Sequence, residues 1–276
     1  MKPRKKYPAL ISFDLEEFDL PLEYHASISP DRQLAIAAAG TAKLLDMLEH
    51  HPEYRVTFFV TVRFAEACPE LVARMAARGH EIASHGMTHS RFSPEDLAQS
   101  RERLSALAGA AVTGFRPPRL LALDKQAILA AGYRYESALN PVWLPGRYNN
   151  FRAPLAPFRE PCGLWQIPVT ALPKLRLPLF WLSFKNLPLR LYLALARRAI
   201  RSNGVFNFYT HPWEYTAEAR EKCWRIPGYI TRGAGDAYLR RLETLCGALS
   251  ELCEFSTFQH YLEARGDAGS PSGGTW

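Results

Sequence analysis

The first 135 residues alternate short apolar runs with amphipathic stretches, and this alternation limits what the chain can fold into. The runs "ALISFDLEEF" (9–18), "YRVTFFVTV" (54–62), "EIASH" (81–85) and "VTGFRPP" (112–118) read as strands. Between and after them, "QLAIAAAGTAKLLDMLEHH", "CPELVARMAARGH", "SPEDLAQSRERLSALAG" and "DKQAILAAGY" read as helices. Pro69 near the start and Gly79 past the end bracket the second helix. Ser93 is placed as N-cap of the third, with Pro94, Glu95 and Asp96 in its first turn. Strands that alternate with helices make a parallel sheet with crossover helices, either an open sheet or a closed barrel. In both, ligands meet the carboxyl ends of the strands.

That rule turns the polar residues into a pattern. Asp14 and Glu16 close the first strand, His85 and His89 follow the third, and Arg116 ends the fourth. A later strand, "GVFNFYTH" (204–211), ends in His211. All six project at one rim. Asp14 and Glu16 share one face of the strand and Leu15 takes the other, so two carboxylates reach the rim together. A metal site needs N and O donors that converge, with a position left open. His85 and His89 with one carboxylate form such a set, suited to zinc or to non-haem iron. The spare carboxylate can serve as general base.

Length and composition set the remaining bounds. At 276 residues, one catalytic domain is expected over 1–265, followed by a disordered tail over 266–276, "GDAGSPSGGTW". Residues 140–190 are dense in Pro and aromatics and read as an irregular elaboration. The net charge of +7 favours anionic partners, yet no nucleic-acid motif accompanies the basic "KPRKK" start, so nucleic acid is excluded. Five cysteines without a C-x-x-C pair suit a reducing compartment. The start does not resemble a signal peptide and no run of 18 apolar residues exists, so a cytoplasmic protein is expected.

The motifs resemble those of the polysaccharide deacetylase family, carbohydrate esterase family 4. "SFDLE" resembles the first motif in a D-x-E form. "SHGMTH" is similar to the second, H-[ST]-x-x-H, with Gly86 in place of Ser or Thr. "FRPPR" resembles the third, with Arg119 in place of the aromatic; "YRYESALN" falls where the fourth does; "FNFYTH" is similar to the fifth. The resemblance implies a distorted (β/α)7 barrel, here with a Pro/aromatic-rich elaboration. It implies Asp14 as base, Arg116 orienting it, His211 as general acid, and Glu16, His85 and His89 as ligands of one divalent metal. Zinc is the first choice, ahead of Co, Ni, Mn or Fe. Glu17 competes with Glu16 for the ligand role, Glu136 is the fourth-motif candidate, and Trp213 is expected to line the pocket with Glu136. The chemistry implied is hydrolysis of an N-acyl group, acetyl or formyl, on an aminosugar of a glycan or lipid-linked precursor.

Two other readings stand beside it: a ureide or cyclic-amide hydrolase like the allantoinase branch, and a non-catalytic glycan- or membrane-binding protein on the same barrel. The paired His and two acids favour a metal, which the allantoinase branch can lack. Residues 174–198, "KLRLPLFWLSFKNLPLRLYLALARR", interleave Lys and Arg with large apolar side chains. They fit a lid, core, or peripheral contact with the anionic inner leaflet. The oligomeric state has no sequence signature.

Overall fold

In a computed structural model, residues 6–266 are described apart from 145 and 147. All of the expected tail but Gly266, and most of "KPRKK", lie outside the described residues. Among the described residues there are eleven strands: β1 (Tyr7–Leu15), β2 (Thr57–Val60), β3 (Glu81–Ser84), β4 (Gly114–Phe115), β5 (Tyr135–Glu136), β6 (Trp143–Leu144), β7 (Tyr148–Asn149), β8 (Phe158–Arg159), β9 (Trp165–Gln166), β10 (Phe206–Thr210) and β11 (Cys253–Phe255).

Seven of them stand side by side and parallel, in the order β10-β1-β2-β3-β4-β5-β9. β8 adds antiparallel to β9, β11 pairs with the start of β1, and β6 and β7 form a separate hairpin. The sheet curls into a half-barrel with helices outside it. Where the segment after β9 approaches β10, one backbone bond, from the Thr170 N–H to the Asn207 carbonyl (3.0 Å), is supplemented by side chains. The Asn207 N–H donates to Thr170 Oγ1 (2.7 Å), and its amide donates to the carbonyls of Ile167 and Pro168 (3.1 and 2.9 Å). A buried amide with these partners satisfies backbone groups that an open seam would leave exposed.

The period of two along β1 sorts its residues. Ile11, Phe13 and Leu15 point outward into the core under the helices, each burial stabilising by about 1.5–3 kcal/mol. Leu10 points inward with Phe59, Ala83 and Tyr135, and Phe258 of the last helix (Phe258–Glu263) plugs that end. Ser12 and Asp14 continue the inward row towards the carboxyl rim, where Arg116 meets both.

Two local features depart from the expected pattern. The third helix starts at Asp96, two residues later than Ser93 as N-cap would require. The Ser93 hydroxyl is taken by the Glu95 carboxylate, and the Asp96 carboxylate accepts the Ser93 N–H instead (2.8 Å). Within 140–190 lie β6 to β9 and the helix Trp181–Asn186, and β9 is one of the seven parallel strands.

The helix Pro30–Glu49 fixes the position of the His211 turn. At Gly40 a Cβ would sit 1.9 Å from the Pro212 carbonyl oxygen, so only glycine lets the helix pass this closely.

Candidate active site

The carboxyl rim carries a pocket lined by Asp14, Glu16, His85, His89, His211 and Trp213, with walls from residues 20–24, 119–120, 181–182 and 229–230. All six of these residues come from loops or strand ends at one end of the barrel, as the sequence pattern requires.

His85 Nδ1 lies 2.7 Å from the Arg116 carbonyl, which can only accept, so Nδ1 carries the proton and Nε2 is left as a lone pair. His89 Nδ1 donates likewise to Asp19 (2.7 Å). Both Nε2 atoms then face one carboxylate oxygen, Glu16 Oε2, at 3.3 and 3.0 Å. The other Glu16 oxygen accepts from Trp213 Nε1 (3.2 Å). Glu16, His85 and His89 offer donor atoms all within 4.8 Å of one another, and all three are buried. This donor set, with each imidazole oriented from behind, fits a divalent ion.

Glu17 does not compete. Its Oε2 accepts from the His89 N–H (3.0 Å), and its Oε1 lies 3.8 Å from Arg63. It anchors the loop that carries the histidine. Gly86 starts that loop at φ +86, in the left-handed region where a Ser or Thr would be strained.

The charges around the cluster explain its electrostatics. Burial pushes the Glu16 carboxyl up, but the charges of His89 and His211 outweigh it and hold Glu16 well below the usual carboxylate range. Burial opposes a charge on His89, yet Glu16 and Asp19 lift it to about 10. A divalent ion bound by the Nε2 atoms would compete with protonation there, so loading it favours the neutral imidazoles.

Asp14 sits on the inward row of β1. Arg116 Nη1 donates to it at 2.5 Å and to Ser12 Oγ at 3.0 Å, while Nε and Nη2 are held by the Ser137 carbonyl and hydroxyl. The guanidinium is fully buried and packs 4.0 Å from the Phe59 ring centroid. Arg116 therefore has one carboxylate partner and no freedom to leave it.

His211 stands on the opposite wall. Its Nδ1 donates to Glu214 Oε1 (3.0 Å), and Glu214 Oε2 takes an ion pair from Lys185 (2.5 Å). Burial pushes His211 down, but Glu16 and the Glu214 hydrogen bond raise it overall. Burial likewise raises Glu214, and Lys185 and His211 reverse this. Trp213 stacks on the imidazole and Trp181 meets its edge, with centroids 5.3 and 5.1 Å away.

Three partners escaped the sequence reading. Asp19 and Lys185 lie outside any motif and became visible only through the fold. Glu214 follows the strand-ending histidine by three residues and sits behind His211. Lys185, in a stretch expected to be lid, core or membrane contact, is turned inward and buried. Trp213 lines the pocket as expected. Glu136 is not brought to it: β5 alternation turns Glu136 outward, where Lys125 (2.5 Å) and Gln166 (2.6 Å) hold its carboxylate. Arg119 replaces an aromatic wall with a clamp, bonding Glu23 (2.7 Å), Asp19 (3.2 Å) and the His89 carbonyl (3.0 Å). Arg119 and Leu120 both adopt left-handed backbone (φ 55 and 53), at a cost of about 1–2 kcal/mol each that these bonds offset.

A curled sheet of seven parallel strands, with a buried Glu-His-His cluster at its carboxyl rim, defines the class: a (β/α) barrel of the deacetylase type. The family model described as polysaccharide deacetylase matches residues 30–136. Over that stretch the chain is similar to the polysaccharide deacetylases. A chitooligosaccharide deacetylase of Bradyrhizobium sp. is 39% identical over 105 residues, covering 33% of this chain and 48% of the relative. A peptidoglycan-N-acetylglucosamine deacetylase of Bacillus cereus is 36% identical over 93 residues, covering 31% and 34%. The chain thus spans less than half the length of either relative. Among solved structures, one assigned to the polysaccharide deacetylases of Mycobacterium smegmatis superposes with TM-score 0.63 at 18% identity, covering 100% of this chain and 96% of that one. Another, from Pseudomonas aeruginosa PAO1, gives 0.64 at 14%, covering 95% and 91%. At these identities the structures bear on the fold alone.

Proposed function

We propose that the chain is a metal-dependent hydrolase that removes an N-acyl group from an aminosugar of a glycan. The observation that carries this reading is the convergence of three groups on one pocket: the Glu16–His85–His89 cluster, Asp14 clamped by Arg116, and His211 backed by Glu214. A divalent ion held by Glu16, His85 and His89, zinc as first choice, would supply Lewis-acid activation of the amide carbonyl and of water. Asp14, kept in place by Arg116, whose Nη1 also donates to Ser12, takes the proton from the attacking water. His211 donates its proton from Nε2 to the leaving nitrogen, because Nδ1 is committed to Glu214. An amine cannot depart as an anion, so this proton is needed for the C–N bond to break. Trp213 and Trp181 hold the imidazole in plane and wall the pocket against water.

The relatives that act on chitooligosaccharide and peptidoglycan support an acetylated glycan as substrate class. The test is release of acetate or formate from N-acyl chito-oligosaccharides by the purified chain, with and without a chelator. Release that is lost with chelator and restored by zinc is expected. Turnover of allantoin without any N-acyl sugar hydrolysis, or no hydrolysis by metal-loaded protein, would overturn the reading.

A further inference from the structure

The charge of the chain is segregated. Residues 137–213 hold ten Lys and Arg against a single acid, Glu160, a net +9, whereas the whole chain carries +7. Everything outside this stretch therefore nets −2. The same stretch holds six of the eleven exposed large apolar side chains among the described residues: Trp143, Leu144, Phe151, Leu175, Leu177 and Leu191. Two of them are mostly in solvent, Trp143 at 61% and Leu175 at 80%.

The fold ties together the two segments that carry five of these side chains, all but Leu191. The segment carrying the β6–β7 hairpin leaves the carboxyl end of β5, and residues 167–180 leave the carboxyl end of β9. Arg176 ties the two together, donating to the carbonyls of Pro141 (3.3 Å) and Ala153 (2.8 Å) with its guanidinium 5.5 Å from the Phe151 ring centroid. The second segment runs straight on to Trp181 and Leu182 in the pocket wall. The exposed apolar side chains of these two tied segments, with exposed Arg152 and Lys174 among them, thus lie on the side of the chain that leads to the pocket wall.

We infer that this patch docks on an anionic lipid surface. Exposed Trp and Leu side chains in a stretch with ten basic residues and one acid match the boundary between acyl chains and anionic head groups. A soluble glycan would be met by flat rings, and the leucines offer none. No helix among the described residues is long and apolar enough to cross a membrane, so the contact is peripheral. Docked this way, the pocket mouth lies at head-group level, which selects amphiphilic, lipid-linked glycans as substrates. That last step rests on the deacylation reading; the docking itself does not.

The experiment is flotation of the purified chain with vesicles of phosphatidylcholine alone, and of phosphatidylcholine with about one-third phosphatidylglycerol. Acetate release from a soluble chito-oligosaccharide is measured in parallel. The parent is expected to float with the anionic vesicles only, and to be released at about 0.5 M salt as its basic contacts are screened. The double variant Trp143→Ser/Leu175→Ser is expected to bind about tenfold more weakly, with soluble turnover retained. Arg152→Glu/Lys174→Glu is a second route to the same loss without touching the apolar side chains. A parent that stays unbound, or binding undiminished in both variants, overturns the inference. So does a concentration-dependent dimer, or soluble-glycan binding, that both variants abolish without lipid. If soluble turnover is absent but flotation follows the predicted pattern, docking stands and the deacylation reading fails.

Discussion

Two buried glutamates sit in the same barrel and behave in opposite ways. Glu16, at the carboxyl rim, faces two imidazoles and an indole N–H, and its carboxyl is held down as an anion. Glu81, at the amino end, is met by neutral donors: the Tyr135 hydroxyl (2.7 Å), the Thr57 hydroxyl (2.7 Å) and the Gln259 N–H (3.0 Å). There burial dominates and raises the carboxyl. Burial of a carboxylate does not by itself mark a site; what decides is whether its partners can carry charge. The amino end spends its polar groups on closing the barrel, while the carboxyl end keeps a charge poised for a cation.

The contrast can be broken or sharpened by substitution. His85→Ala should have the largest effect, removing a ligand: metal content by elemental analysis should fall to background and turnover should vanish. Metal retained at parent level would mean the cluster is not the binding site. Glu214→Gln should lower turnover by about 10- to 100-fold while the metal stays. Its pH profile has a definite sign. Glu214 helps raise His211, which works protonated, so its loss lowers the His211 pKa and moves the alkaline limb of kcat to lower pH. An unmoved limb would count against His211 as the acid. Gly40→Ala should force the Pro212 turn aside. We expect a loss of about 1–3 kcal/mol in denaturant unfolding together with reduced turnover.

Glu81→Gln should have the smallest effect, below about 1 kcal/mol, with metal and turnover intact. Glu81 has a folded pKa raised above its unfolded value near 4.5, so the unfolded chain loses the proton first. Its contribution to stability is full below that pH and is lost as pH rises through the folded pKa. Glu81→Gln should remove that decline from a series of unfolding measurements against pH. An unchanged slope would show that Glu81 is not the group responsible.

Much of this was legible in the sequence because it rests on periodicity and position. Alternation along β1 put Asp14 and Glu16 on one face, and strand ends placed His85, Arg116 and His211 on one rim. What was not legible rests on contacts between segments distant in sequence. Asp19 reaches His89 across 70 residues, and Lys185 reaches Glu214 from a stretch whose composition suggested a surface. Glu136 was misplaced for a local reason: β5 has only two ladder residues, too few for alternation to be read, and the outward one is the acid. β9 was hidden in a Pro-rich stretch for the same reason of length.

The most direct test of the central claim is metal content measured beside acetate release for Asp14→Asn and Glu16→Gln. The account predicts that Asp14→Asn keeps about one metal per chain and loses turnover by about 100-fold or more, while Glu16→Gln loses both. Metal lost with Asp14→Asn but kept with Glu16→Gln would contradict it and exchange the roles of the two carboxylates.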